Sequence, residues 1–599
     1  MTTIDRDTIS DSLTAHPFAI ALGPKLAGLT YWYECYHDVF RSGQYTAVII
    51  DLHKKHGPII RINPDELHVS DPSFIDTLYP STGKKREISP YFFRPFAFEG
   101  SHFGSANHDL HRMRRAPLSR FFSKAMVGKL EPTIKHHAVK FSTNLESWSN
   151  TAQPLNLVTA ISCFSADVIT EYLFGQSYNF LDDPKMETSL YQPIHGGTEV
   201  TIAFKHFPVY MKMFLSIPSF VMKRLSPDSG TMLTLKQDSR TRVKEIKEDI
   251  RNNVPKTHMT VFHDLLTSTL PESEKGTERL GMESQALVGA GMETTAWSKS
   301  SSIVTIQHKY TDNNHSVAGL SVDMYHLLAS PEIKAKLRAE LEAAIPSSDP
   351  SQMPPWSTLE KLPYLSACIH EGLRLSYGVP SRLARLSPDE HIIYHGRHKT
   401  WAIPPGYAVG MSSYQIHHDE SIFPESTKYK PERWLNEDGK WSRHLDQYFL
   451  SFSKGSRNCL GMNLAYAEKY ILLATMIRCF GDRLELFETT VEDVEFHHDA
   501  FIPGVKPGSK GRPYENSTSS TASPTAPTSS APSLHLSKPS HHILIPDQLG
   551  YGGTSKPTDS LLYNARAISA DHAELLAHEH VARTAGAGHD WGSFSAQRL

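Results

Sequence analysis

The hydrophobic and polar positions along the chain predict a mainly helical protein with a small β subdomain. Apolar residues at helical spacing dominate residues 132–215 and return over residues 362–375 and after Met462. Ahead of them, residues 57–69 contain two short runs in which apolar and polar positions alternate, which is typical of half-buried strands. We therefore expect one large helical domain with a small sheet near its N-terminal end.

One predicted helix is interrupted. The helical pattern that reaches Trp297 resumes only at residues 320–328, and residues 298–319 between them are polar and β-branched, without helical spacing. Joining Trp297 to Leu320 restores a continuous amphipathic helix. We therefore interpret residues 298–319 as a retained intron that is translated in frame. The alternative is a genuine loop, which is less favoured because long structureless loops are uncommon inside compact domains.

The pattern changes again near the C-terminal end, which divides the sequence into three parts. Residues 1–512 form the main domain, and residues 513–540 are so rich in Ser, Thr, Pro and Ala that we expect a disordered linker. Residues 541–599 hold a strand-like run, a glycine-rich turn and a helical pattern. About sixty residues with so few elements are too short to build a two-sided sheet core.

Composition and charge exclude several classes of protein. Lysine and arginine total 61 against 64 acidic residues, so no nucleic-acid partner is expected. The five cysteines have no paired spacing, which favours a reducing compartment without disulfides. Residues 1–15 are polar, and residues 16–33 are interrupted by Pro, Gly and Lys, so no transmembrane helix is expected there.

Candidate chemistry is concentrated in residues 452–461, which read Phe-Ser-Lys-Gly-Ser-Arg-Asn-Cys-Leu-Gly. Gly455 allows a tight turn close to a flat ligand, Arg457 supplies a cation for a ligand carboxylate, and Phe452 shields the sulfur from water. The helix predicted to follow favours an anion at Cys459 through its N-terminal dipole. The pattern indicates a cysteine-thiolate haem site. The alternative is a buried, inert cysteine.

This segment resembles the haem-binding loop of the cytochrome P450 monooxygenases. The closest likeness is to fungal enzymes of the trichodiene-oxygenase type, and the resemblance covers about residues 23–507. It implies the cytochrome P450 fold, and haem b whose iron is ligated by the Cys459 thiolate.

Two further motifs of that family stand upstream of the cysteine. Glu371 and Arg374 are spaced i, i+3, which places both on one helix face, where a bidentate pair can form. Arg433 belongs to the sequence Lys-Pro-Glu-Arg-Trp about sixty residues later. Alone, the first pair would be a solvated surface pair of little energetic value. The resemblance instead implies that Glu371, Arg374 and Arg433 form one buried network.

Residues 290–295, Ala-Gly-Met-Glu-Thr-Thr, resemble the oxygen-binding part of the family's distal helix. The resemblance implies that Gly291 leaves room for a diatomic ligand, and that Thr294 and Glu293 relay protons. Seen alone, the motif could equally be a capped helical turn.

Three residues are candidates for binding the haem propionates. His111 and Arg115 occupy the place of the family's Trp-x-x-x-Arg, with His in place of Trp, and Arg385 follows the Glu-x-x-Arg helix. The alternative for the basic cluster at residues 111–115 is a solvated surface.

The resemblance implies a monooxygenase that inserts one oxygen atom of O2 into a small apolar substrate, such as a terpenoid or another fungal secondary metabolite. Electrons would come from an NADPH-dependent flavoprotein reductase that docks near Lys454. We expect an intracellular enzyme associated with the endoplasmic reticulum membrane, although this chain shows no anchor. Two alternatives remain: a haem-thiolate isomerase or dehydratase that does not use O2, and a misspliced or fused inactive product.

The last segment carries a second resemblance. Residues 588–593, Gly-His-Asp-Trp-Gly-Ser, resemble the nucleophile elbow of epoxide hydrolases in the α/β-hydrolase superfamily, with Asp590 as the attacking carboxylate. No general-base histidine or orienting acid follows Asp590 in this sequence. We therefore interpret residues 541–599 as a truncated hydrolase fragment whose nucleophile is vestigial.

Overall fold

The computed structural model describes residues 23–506, except for these positions: 97, 150, 152–154, 187–201, 226, 256–259, 297–303, 307–320, 487–488 and 505. Within the described helices and strands, a few side chains are also outside the description, among them those of residues 293–296. The chain divides into two units, residues 1–514 and residues 515–599, and only the first contains described residues. The predicted linker and the predicted hydrolase fragment, with Asp590, lie outside the described residues.

Helices account for most of the described chain. The main ones are α1 (Tyr45–His56), α2 (His108–Phe121), α3 (Lys124–Ser149), α4 (Leu157–Phe174), α5 (Pro208–Ser216), α6 (Ser219–Leu225), α7 (Pro227–Arg251), α8 (Val261–Thr267), α9 (Thr277–Ala296), α10 (Ser321–Ala329), α11 (Pro331–Ala344), α12 (Pro363–Ser376) and α13 (Met462–Thr475). Shorter α-helical turns are Lys25–Leu29, Trp32–Cys35, Ile75–Leu78, Pro90–Phe93, Trp356–Leu359 and Ser413–His417.

The strands form one small mixed sheet and three two-stranded ribbons. The strands are β1 (Ile59–Asn63), β2 (Glu66–Val69), β3 (Glu87–Ile88), β4 (Val304–Ile306), β5 (Arg385–Leu386), β6 (Ile392–His395), β7 (Thr400–Ile403), β8 (Ala408–Gly410), β9 (Leu484–Leu486), β10 (His498–Ala500) and β11 (Ile502–Gly504). The five-stranded sheet has the order β1-β2-β8-β5-β3, in which only β2 and β8 are parallel. The predicted fold class, mainly α with a small β subdomain, is confirmed.

Helix α4 lies at the centre of the helical core. The side chain of Asn156 caps its first turn by accepting from the backbone N–H of Thr159 at 3.1 Å, and Gly175 ends it in a left-handed conformation. Helix α4 is the only helix in the described part that is long and apolar enough to cross a membrane, but 94% of it is buried inside the protein. Its apolar sequence is therefore explained by packing against its neighbours, among them α9 and α3.

Most of the predicted insert, residues 298–319, lies outside the described residues. Helix α9 ends at Ala296, and the next helix, α10, begins at Ser321. Inside the predicted insert, β4 pairs antiparallel with β9, with Val304 opposite Leu486. A short strand in this segment was not expected from the sequence, and the β-branched residues Val304, Thr305 and Ile306 favour it locally.

Candidate active site

A cavity of about 400 Å³ lies between α9, α4 and the loop that precedes α13. Cys459, Phe452 and Arg457 line it from the loop, and Gly291 lines it from α9. His111, Arg115 and Arg385 also line it, although they come from elements far apart in the sequence. The fold therefore brings most of the predicted site residues to one cavity.

Cys459 is held by the turn that residues 452–459 make before α13. Its backbone N–H donates to the carbonyl oxygen of Phe452 at 2.8 Å. Burial raises the pKa of the Cys459 thiol, while hydrogen bonds from the backbone N–H groups of Gly461 and Met462 and the positive charge of Arg115 oppose this rise. The N-terminus of α13 thus points two backbone donors at the sulfur, which partly offset the effect of burial on its pKa.

Gly455 lies in the turn of the cysteine loop. Gly455 has φ +74°, and a Cβ there would lie 2.8 Å from the backbone oxygens of Tyr79 and Pro80. It is not among the residues that line the cavity, and its turn packs against the neighbouring chain segment. Phe452 does line the cavity, and its ring centroid is 5.1 Å from that of Tyr466.

Three guanidinium groups line the cavity without a carboxylate partner among the described residues. Arg115 donates to the backbone and side-chain oxygens of Asn458 at 2.7 and 2.8 Å, and Arg385 donates to the carbonyl oxygens of Leu383 and Ala384. Arg457 donates to the carbonyl oxygens of residues 105–107, and its buried Nε has no partner. Burial lowers the pKa of all three groups, that of Arg457 to about 9.

These groups fit a haem. Buried cations without counter-ions are costly, and the two propionates of a porphyrin would supply the missing negative charge. His111 stands beside them, where burial and the nearby arginines lower its pKa to about 2. It is therefore neutral near pH 7 and can donate a ring N–H to a carboxylate.

Helix α9 also contributes to the cavity wall, through Gln285, Ala286, Leu287, Gly289, Ala290 and Gly291. A Cβ at Gly291 would lie 2.8 Å from the side chain of Ile169 on α4, so the glycine is required for close packing of these two helices. Glu293 and Thr294 follow within one turn on the same helix, but their side chains are outside the described part of the structure.

Glu371, Arg374 and Arg433 form one buried network, as the resemblance implies. Arg374 donates to both carboxylate oxygens of Glu371 at 2.9 and 2.8 Å, and Arg433 Nε donates to Oε1 at 2.9 Å. The indole N–H of Trp434 and the backbone N–H of Lys430 complete the shell at 3.0 and 2.9 Å. Burial raises the pKa of Glu371, but the two arginines outweigh it and hold the pKa below its usual value.

A histidine that the sequence analysis did not identify connects this network to the cysteine loop. His417 Nδ1 lies 2.9 Å from the carbonyl oxygen of Arg374, and its Nε2 accepts from the backbone N–H of Leu450 at 3.0 Å. Ser451 donates to the carbonyl oxygen of Leu373 at 2.7 Å. The start of the cysteine loop is therefore fixed to the end of α12.

A second charged network, also missed from the sequence, holds the loop around residue 102 against α9. The buried carboxylate of Glu283 accepts from the backbone N–H of His102, lies 2.5 Å from its Nδ1, and pairs with Arg279 at 2.7 Å. Arg279 and Arg114 both pair with Glu274. His102 lines the cavity, so this network positions part of its wall. No motif indicated it, because its members are separated by up to 181 residues.

The cavity has a cysteine at a helix N-terminus and arginines without carboxylate partners beside it. These features suit a porphyrin bound through a thiolate, and they indicate a haem-thiolate protein. The sequence profile of the family "Cytochrome P450" matches residues 27–308 and 316–502, and the chain belongs to this family. The predicted cofactor class, haem bound through a thiolate, is thereby confirmed.

The relatives found by sequence are fungal enzymes. The chain is 39% identical over 508 residues to the cytochrome P450 monooxygenase tpcC of Cochliobolus heterostrophus, which covers 83% of this chain and 91% of that protein. It is 36% identical to the N-acetyltryptophan 6-hydroxylase ivoC of Emericella nidulans (82% and 90%) and to the stellatic acid synthase of Emericella variicolor (83% and 90%). The predicted monooxygenase function is confirmed, with an organic substrate, O2 and a redox partner as its general requirements.

The family match also bears on the two departures from the family pattern. It runs through residues 298–308 and leaves out only 309–315 of the predicted insert 298–319. It ends at residue 502, and nothing in these comparisons supports the predicted likeness of residues 541–599 to an α/β-hydrolase.

Proposed function

We propose that Cys459 is the axial thiolate ligand of haem b in this monooxygenase, and that Arg115, Arg385 and Arg457 bind the propionates with help from His111. The observation that supports this most directly is the group of three buried or half-buried arginines that have no carboxylate partner among the described residues and line the same cavity as the cysteine. Arg115 serves twice, because its charge also opposes the rise that burial causes in the pKa of the Cys459 thiol.

When bound, haem supplies the activation of O2 and the oxidation of a C–H bond. The chain contributes the surroundings of that reaction. Gly461 and Met462 donate backbone hydrogen bonds to the sulfur and stabilise its negative charge. Phe452 and the apolar cavity wall exclude water. Thr294 and Glu293, on the helix that bears Gly291, hold and transfer protons on the distal side.

The substrate that we propose is a small apolar organic molecule, such as a terpenoid or another fungal secondary metabolite. Support comes from the aromatic and aliphatic side chains that line the cavity away from the cysteine: Phe93, Phe96, Phe98, Phe103, Phe204, Met211, Phe214 and Phe501. The names of two relatives cited above, an N-acetyltryptophan hydroxylase and a stellatic acid synthase, are consistent with organic substrates of this size.

For the redox partner we propose an NADPH-dependent flavoprotein reductase that docks near Lys454, on the side of the cysteine loop. Lys454 donates to the carbonyl oxygen of Gln447 at 2.7 Å, which fixes the position of one cation at this surface. An association with the endoplasmic reticulum membrane is part of the same proposal, because reductases of this type act there.

The axial ligand is tested by Cys459→Ser, with Cys479→Ser as the matched control at a half-buried cysteine outside the cavity wall. We expect Cys459→Ser to lose the thiolate-type carbon-monoxide absorption band and the monooxygenase activity, while Cys479→Ser keeps both. A Cys459→Ser protein with an unchanged band and turnover would refute the assignment.

The same preparation separates the two alternative functions. An isomerase or dehydratase would convert substrate without NADPH and O2, whereas the monooxygenase requires both. An inactive product of missplicing or fusion would contain no stoichiometric haem.

For the two unusual segments, the proposals rest on the sequence. We propose that residues 298–319 are a retained intron, and transcripts that all contain codons 298–319 would contradict this.

We propose that residues 541–599 are a truncated epoxide hydrolase fragment without activity. Epoxide hydrolysis by the purified chain that disappears in Asp590→Asn would contradict it.

A further inference from the structure

The part of the cavity wall that α7 and α9 form is not wholly apolar. Lys236 of α7 and Gln285 of α9 line it among the phenylalanines. Neither residue belongs to a motif of the sequence analysis, and neither takes part in the haem-side cluster of arginines. A half-buried ammonium group in an aromatic pocket calls for an explanation, because burial of an unpaired charge is costly.

Contacts between α7 and α9 place these two residues opposite each other. Lys247 of α7 lies 3.4 Å from the hydroxyl of Thr277, and one to two turns earlier in α7 Arg240 pairs with Glu278 and packs beside Gly281. The helices therefore run antiparallel. One further turn back along α7 brings Lys236 to the level of Gln285.

Lys236 makes no hydrogen bond or ion pair with any residue in the described part of the chain. The carboxylate of Glu278, which attracts it from a distance, is already paired with Arg240, and Glu99 acts only at long range. Burial lowers the pKa of the Lys236 ammonium. His102, which also lines the cavity, differs in that its ring lies 2.5 Å from the carboxylate of Glu283.

The spacing of Gln285 and Gly291 along α9 gives an approximate distance between the polar groups and the level of Gly291. Gln285 precedes Gly291 by six residues, which corresponds to about 9 Å along the helix axis. If a molecule is anchored at Lys236 and lies along α9, the part of it that reaches the level of Gly291 is therefore far from the anchored end.

We infer that the substrate is a carboxylic acid, whose carboxylate binds Lys236 and the Gln285 amide while its aromatic or aliphatic body packs against the phenylalanines. This rests on the proposed function and adds the chemical class of the substrate. The carbon to be oxidised lies remote from the carboxylate, on the order of 9 Å away. Gln285 donates through its side-chain amide, and Lys236 supplies the charge.

The test measures binding of ω-phenylalkanoic acids of increasing chain length, and of the matching primary amides, to the full chain by equilibrium dialysis. We expect the acid of the best length to bind more tightly than its amide. Lys236→Met should weaken binding of that acid about 10- to 100-fold and leave the amide nearly unchanged. Lys236→Arg should retain the preference for the acid. Lys244→Met, at an exposed lysine of the same helix, is the matched control.

Two results would overturn the inference: acid and amide binding equally to the wild type, or Lys236→Met reducing the affinity for both alike. The carbon-monoxide absorption band of the same preparations distinguishes this failure from failure of the proposed function. A normal band with no preference for the acid refutes only the carboxylate anchor. Absence of the band refutes the haem assignment, while the dialysis still measures the preference for the acid.

Discussion

At the scale of single residues, the site is defined by charges that lack partners within the chain. Arg115, Arg385 and Arg457 each satisfy part of their donors on carbonyl oxygens, yet none meets a carboxylate among the described residues. Buried cations outside the cavity wall, such as Arg374 and Arg382, are paired. Cations with a carboxylate partner therefore stabilise the fold, whereas the three arginines of the cavity have donors or charge with which to bind a ligand.

Arg115→Met should lower the affinity of the apoprotein for haem about 10- to 100-fold, because a charge-assisted hydrogen bond to a propionate is lost. The measurement is a haem titration followed by absorbance. Arg112→Met, at an exposed arginine of the same helix, should leave the affinity unchanged. Equal losses in both variants would show that net charge, not a propionate contact, is responsible.

His417 should make the folded protein sensitive to mild acid. Burial and the nearby Arg374 lower its pKa to about 3, against about 6.5 in the unfolded chain. Between these values only the unfolded chain takes up the proton, so the free energy of unfolding falls as pH falls. From pH 7 to pH 5 the loss from this group is about 2 kcal/mol.

Chemical denaturation of the wild type and His417→Gln at both pH values measures this contribution. The variant should show a pH dependence smaller by about that amount. His391→Gln, at an exposed histidine, should retain the full dependence. An unchanged dependence in His417→Gln would contradict the assignment.

At the scale of elements, α12 positions the cysteine loop from behind. Its Glu371 and Arg374 are fully buried, and Arg374 also donates to the carbonyl oxygens of His417 and Ser426. His417 then connects to Leu450, nine residues before Cys459. The network thus aligns three chain segments that secondary structure alone would not bring together.

Glu371→Gln should destabilise the protein by about 3–5 kcal/mol, because two buried guanidiniums lose their counter-charge. The free energy of unfolding measures this, and haem content reports whether the cysteine loop is still held. Glu332→Gln, at an exposed position of α11, should change the stability by no more than about 0.5 kcal/mol. A small effect of Glu371→Gln would mean that another contact fixes the end of α12.

At the scale of the whole molecule, the family match and the site residues are confined to the first 502 residues. The cavity is lined by residues from Ile88 to Ile502, so nothing after that position lines the part of the site that the structure describes. We expect the residues after 512 not to be required for haem binding.

A chain truncated after residue 512 should bind haem in the same stoichiometry as the full chain and should unfold at the same temperature. The physical reason is that the described core and the cavity are complete before that point. Haem content and thermal unfolding of the two chains, purified in parallel, provide the measurement. A loss of haem or a clear fall in unfolding temperature would show that the tail stabilises the domain.

The sequence by itself determined the class of fold, the loop around Cys459 and the positions of Glu371, Arg374 and Arg433. Most of these rest on local signals, namely helical periodicity, a glycine in a turn, and i, i+3 spacing on one helix face, whereas Arg433 was joined to Glu371 and Arg374 through the resemblance to the family. It also predicted the interruption of the distal helix, because an apolar stripe is visibly absent there. For Gly455 it predicted the tight turn, whereas only the fold showed that this turn packs against Tyr79 and Pro80.

Only the tertiary structure showed that His417 joins the two motifs, that Glu283 holds His102, and that Lys236 faces the cavity without a partner. Each of these depends on side chains brought together from distant parts of the chain. The sequence alone does not distinguish a charged residue that is solvated from one that is paired or unpaired. Its burial and its neighbours, which the fold alone sets, decide which of these it is.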